Sequence, residues 1–111
     1  MKDNLMAMSP TQVALARMKK ENYPLVQIVE TFNFHAGVRK DLFTFIDILA
    51  ITEEGQVVAV QVTSKSNMGA RIKKISDSES VKYVRKAGWK ILVWGTYKQN
   101  NRWQIKEVDV S

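Results

Sequence analysis

The sequence predicts an α/β (α+β) domain: a mixed central β-sheet flanked by helices, with elements in the order α-β-β-β-α-β-β. Three observations carry that expectation. Apolar runs of strand length, rich in Val, Ile and Phe, recur between turn residues. One long segment, 66–87, changes to helical spacing, with three such runs before it and two after. The chain has 111 residues, 45% hydrophobic and 25% charged, which suits one ordinary globular domain spanning 1–111 with a single modest core.

The elements follow in order. Ser9 is placed to cap a first helix with Pro10 at its first position, and "TQVALARMKKEN" supplies Val13, Ala14, Ala16 and Met18 before Pro24 ends it. "LVQIVETFNF" (25–34) reads as a strand, "HAGVRKD" (35–41) as a loop, and "LFTFIDILAI" (42–51) as a second strand. After the turn "TEEGQ" (52–56) comes a third strand, "VVAVQVTSK" (57–65). Met68, Ile72 and Ile75 then recur at helical spacing, Val81 and Val84 continue after a break at "SDSES", and Gly88 is a stop. "WKILVWGTY" (89–97) and "RWQIKEVDV" (102–110) are the last strands, with "KQNN" turning between them.

Composition narrows the function classes. Without cysteine there are no disulfides and no thiolate metal sites. No apolar run approaches the roughly 20 residues of a membrane span. The start, "MKDNLMAMSP", lacks the apolar core of a signal peptide, so an intracellular, cytoplasmic protein is expected. Net charge is +6 and unevenly placed. Residues 65–90 carry eight lysines and arginines against Asp77 and Glu79, whereas residues 25–64 carry two against five acids. A basic segment beside an acidic one suits a polyanion partner near a carboxylate cluster; the plainer alternative is a solvated helix face.

The acid inside "FTFIDILAI" is the residue that asks for an explanation. An ionised carboxylate in apolar surroundings is costly unless paired. On the strand 57–65, Val58, Val60 and Val62 point to one face, and Ala59, Gln61, Thr63 and Lys65 to the other. A symmetric hairpin about Glu54 sets Ile51 opposite Val57 and Asp47 opposite Gln61, with Cβ atoms about 4.5–5.5 Å apart. A carboxylate, an amide oxygen and a strand carbonyl suit a hard divalent cation such as Mg²⁺, and a nearby ammonium would stabilise phosphoryl charge. The alternative is an ordinary buried acid paired with Lys65 or Arg39.

The stretch "RKDLFTFIDILAI…VVAVQVTSKSNMGARIKKI", with "AGWKILVWGTYK", resembles the PD-(D/E)XK nuclease superfamily, and within it the small archaeal-type Holliday junction resolvases and short phage proteins. The resemblance covers most of residues 39–98 and implies a restriction-endonuclease-like core. It implies that Asp47 is the metal-binding aspartate, that Gln61 stands at the Glu/Gln position, and that the main-chain carbonyl of Val62 is a further ligand. Thr63 stands where the family usually has its lysine, and Lys65, two residues on, would supply the amine. Glu21 matches the region of a supporting glutamate, with Glu30 and Asp41 as rivals.

The implied activity is that of a structure-selective endodeoxyribonuclease using Mg²⁺ (or Mn²⁺). It would act on branched or duplex DNA as a homodimer, in the host cytoplasm if the protein is from a phage. The alternatives are a catalytically decayed DNA-binding module of the same fold, or a protein-interaction domain. Ser66 or Asn67 would cap the helix after the site strand, and Arg71, Lys73 and Lys74 are the phosphate-contact candidates. Arg39 and Lys40 would reach the DNA backbone from their loop. Trp89, Trp94 and Trp103 read as core or dimer packing rather than base stacking, and the lone His35 is assigned no catalytic part. There is no Ser-His-Asp set, P-loop or dinucleotide fingerprint.

Overall fold

Ser9 opens the first helix as predicted. Its hydroxyl accepts from the Gln12 amide at 3.2 Å, while the Gln12 side chain accepts from the Ser9 amide at 2.9 Å, closing a capping box ahead of Pro10. The computed structural model describes residues 8–33 and 35–111. Phe34, the end of a predicted strand, and residues 1–7, on which the signal-peptide expectation rests, lie outside the described residues.

Helix α1 spans Pro10–Lys20; strands β1, β2 and β3 span Leu25–Ile28, Thr31–Asn33 and Val38–Lys40; β4 and β5 span Ile48–Ile51 and Val57–Ser64. A 3₁₀ turn, Lys65–Asn67, leads into α2 (Met68–Ser76) and α3 (Val81–Lys86), followed by β6 (Lys90–Gln99) and β7 (Arg102–Asp109). The main sheet runs β1-β4-β5-β6-β7, with β5 and β6 parallel and the other neighbours antiparallel, while β2 and β3 form a separate hairpin. The mixed sheet flanked by helices is the expected fold class. Among the described residues no helix is long and apolar enough to cross a membrane.

The sheet divides two cores. On one side Val58, Val60 and Val62 pack with Ile48, Leu92 and Trp94 against Ala14 and Met18 of α1. On the other, Ala59, Ile91 and Val93 pack with Phe45, Ile46 and residues of α2 and α3. Gly95 lets α2 start directly on the sheet, since a Cβ there would meet the Met68 side chain and lie 2.9 Å from Lys65 Cα.

Two boundaries depart from the sequence reading. The run 25–34 is not one strand: it breaks at Val29, whose amide donates to the Asp47 carbonyl at 2.8 Å, and the remainder pairs with β3, inside the expected loop 35–41. The expected strand 42–51 is half turn. Phe43 and Thr44 have φ of 52° and 75°, and Leu42 and Ile46 exchange main-chain hydrogen bonds of 2.9 and 3.0 Å. This closed turn satisfies its own backbone while burying Phe45 and Ile46, so an apolar run needed no ladder here.

Candidate metal centre

Asp47 stands at the foot of β4, held by both neighbouring segments. Its amide donates to the Val60 carbonyl at 2.9 Å, and its carbonyl accepts from Val29. The pairing runs from Ile51↔Val57 to Ile48↔Val60, the register expected from the turn. The Asp47 side chain therefore falls on the face of Gln61 and Thr63. Its Oδ2 accepts from the Val62 amide at 2.7 Å and from Gln61 Nε2 at 2.8 Å. Neither Lys65 nor Arg39 pairs with it. Because the N–H and C=O of one strand residue point the same way, the Val62 carbonyl is also directed to the side of β5 that holds Asp47.

Glu30 and Asp41 complete a cluster. One carboxylate oxygen from each of Glu30, Asp41 and Asp47 lies within 4.8 Å of the others. Arg39 Nη1 reaches Glu30 at 3.3 Å, and Lys74 Nζ, on α2, reaches Asp41 at 3.7 Å. Three carboxylates thus share two cations, and the deepest of them, Asp47, has no cation of its own. Burial, together with the Asp41 and Glu30 charges, pushes the Asp47 carboxyl up to about 7 against the opposing pull of the Val62 amide.

Two acceptors in this site lack partners. Asp47 Oδ1 and Gln61 Oε1 are buried without a hydrogen bond, in residues 4% and 2% exposed. Each such atom costs roughly 1–3 kcal/mol when left bare. A hard divalent cation at the carboxylate cluster would satisfy Asp47 Oδ1 and relieve the surplus negative charge. The donor set is all oxygen, which suits Mg²⁺ or Mn²⁺ rather than a thiophilic or imidazole-seeking metal. The residues present fit such an ion, with Asp47, Glu30 and Asp41 around it and Gln61 against Asp47.

Other expected site residues lie elsewhere. Glu21 is the C-cap of α1, 3.8 Å from Arg17, and shares a hollow with Thr52, Glu53 and Glu54 at the other end of β4. Since α1 packs on the opposite sheet face, Glu21 lies away from Asp47, whereas its two rivals, Glu30 and Asp41, stand beside it. Lys65 lies just beyond the strand. The strand ends at Ser64, and the Lys65 ammonium stands 4.4 Å from the centroid of the Tyr97 ring. Thr63 is buried on the site's face, and its carbonyl accepts from Thr96 Oγ1 at 3.4 Å.

The expected helix cap is also absent. Neither Ser66 nor Asn67 makes a side-chain capping bond, because the 3₁₀ turn precedes α2, and the Ser66 hydroxyl meets that of Ser64 at 3.1 Å. Lys73 pairs with Asp77 at 3.0 Å, Arg71 is half-buried, and Lys40 is exposed on β3. The residue missed as part of the cluster is Lys74. Its distance in sequence from Asp41 gives no one-dimensional signal, although both had been singled out separately. Compared with protein-family models, curated proteins and solved structures, the chain shows no significant match.

Proposed function

We propose that this chain is a Mg²⁺- or Mn²⁺-dependent endodeoxyribonuclease with a restriction-endonuclease-like core. The observation that carries the reading is the bare, buried Asp47 Oδ1 in a cluster with the Glu30 and Asp41 carboxylates; Gln61, whose amide donates to Asp47 Oδ2, has a second bare acceptor, Oε1. The basic helix α2 supports it, because Lys74 reaches the same cluster.

In this reading Asp47 and Gln61 hold the ion, assisted by Glu30, Asp41 and the Val62 carbonyl. When bound, the ion supplies Lewis-acid polarisation of the phosphate and a more acidic water. The chain's own groups do the rest. Arg71 and Lys73 on α2, with Arg39 and Lys40 on the small hairpin, position the DNA backbone without reading sequence. Lys74 supplies the amine that Thr63 lacks, offsetting charge that accumulates on the scissile phosphate. Structure selectivity and a two-fold dimer that cuts both strands rest on the resolvase resemblance. Gln61 and Thr63 favour a second reading, a DNA-binding module with a decayed site: one brings no charge and the other no amine.

Incubation of the purified protein with four-way, flap and linear duplex DNA, with Mg²⁺ or Mn²⁺, separates the two. Metal-dependent cutting that Asp47→Asn abolishes supports the nuclease. Salt-sensitive binding without cutting supports the module.

A further inference from the structure

A second site lies on the same side of the sheet. Phe43, Ser80, Tyr83, Val84, Ala87 and Trp89 line an open, almost wholly apolar groove of about 340 Å³. Phe43 and Trp89 form one aromatic wall, with ring centroids 6.1 Å apart and planes tilted by 42°. Tyr83 and Phe43 are 63% and 48% exposed, so the groove leaves large rings in water.

Two features say what fits it. The first is charge. Lys82 Nζ, on α3, stands 5.1 Å from the centroid of Tyr83, a ring that lines the groove, and among the described residues Lys82 joins no ion pair. Aromatic walls with a free cation beside one ring suit a stacked base whose phosphate meets that cation. The second is continuity with the metal centre. The turn that presents Phe43 begins at Asp41 and ends beside Asp47, and Thr44 Oγ1 ties it to Ser78 Oγ, between α2 and α3, at 3.1 Å. Phe43 and Thr44 hold left-handed backbone angles that side chains rarely adopt, which aims Phe43 at Trp89 while Asp41 stays in the cluster.

We infer that this groove binds an unpaired nucleobase of the DNA strand engaged at the carboxylate cluster. The inference rests on the nucleic-acid reading above and names the feature of a branched or tailed substrate that the protein recognises. The lining offers almost no polar groups, so the base is held by stacking and its identity is not read.

The test measures binding in EDTA, so cleavage plays no part. The two probes are a blunt duplex and the same duplex bearing a short oligothymidylate tail. The wild type should prefer the tailed duplex by about tenfold, as expected for one stacked base, and Tyr83→Ala or Phe43→Ala should remove that preference while Tyr83→Phe retains it. Both side chains are largely exposed, so neither truncation opens the core. Equal affinity for the two probes overturns the inference, as does a preference that survives both alanine variants. A dimer that Tyr83→Ala splits, with the tail preference intact, assigns the groove to a second copy and overturns it too. Cleavage assays keep the claims apart: blunt duplex cut with Mg²⁺ but no tail preference leaves the nuclease standing without this site. A tail preference lost in Tyr83→Ala, with no cutting, leaves the base site on a binding module.

Discussion

The two faces of β5 do opposite work. Toward α1, Val58, Val60 and Val62 close a dry core whose buried residues are all hydrophobic, with the Trp94 indole N–H bonded to Glu107 at 3.0 Å. Toward α2, the same strand turns Ala59, Gln61 and Thr63 into the second core, and beside them Asp47 sits buried with Oδ1 lacking a hydrogen bond. Packing explains the first face completely. On the second, bare acceptors and a cluster of three carboxylates leave interior polar groups that packing does not account for, and the proposed metal site rests on them.

That contrast is open to attack by substitution. Truncation on the dry face should cost most: Trp94→Ala is expected to lower unfolding free energy by about 3–5 kcal/mol in urea titrations, whatever metal is present. On the polar face the sign reverses. The Asp47 carboxyl is held at about 7, above the ordinary carboxylate value of 3.8, so the fold takes up its proton more readily than the unfolded chain does. Its contribution to metal-free stability is greatest below pH 4 and is lost as pH rises through 7, by up to about 4 kcal/mol in principle. Urea midpoints in EDTA should therefore show a pH dependence between 4 and 8 that Asp47→Asn removes, and the variant should be the more stable protein at pH 8.

Smaller effects sharpen the picture of the cluster. Mg²⁺ at 100 times its dissociation constant should stabilise the wild type by about 2.7 kcal/mol in thermal unfolding at pH 8, and Asp47→Asn not at all. Lys74→Met should slow cleavage by about tenfold or more, whereas Lys65→Met, whose ammonium lies on Tyr97, should change it less. Least of all, Glu21→Gln should leave metal affinity within about twofold, while Glu30→Gln weakens it by about tenfold or more, the size typical of groups that orient a metal's ligands.

What was legible in the sequence follows from locality. The Asp47–Gln61 contact could be read because a short turn fixes register: Gly55, at φ 87°, and the hydrogen bonds between Thr52 and Gln56 close the β4–β5 connection. The hairpin turn at Asn100 and Asn101, both with positive φ, was legible for the same reason. The turn at 42–46 was not, because its left-handed residues are Phe and Thr rather than Gly or Asn, inside an apolar run of strand length. Nor could the sequence choose among Glu21, Glu30 and Asp41. That choice depends on which sheet face α1 covers and on where the chain breaks at Val29, both set by tertiary packing.

The most direct test is a calorimetric titration of Mn²⁺ into the purified metal-free protein, beside Asp47→Asn and Gln61→Leu. The account predicts saturable binding at the cluster that Asp47→Asn abolishes and Gln61→Leu weakens. No saturable binding by the wild type, or binding that both variants retain in full, would contradict it.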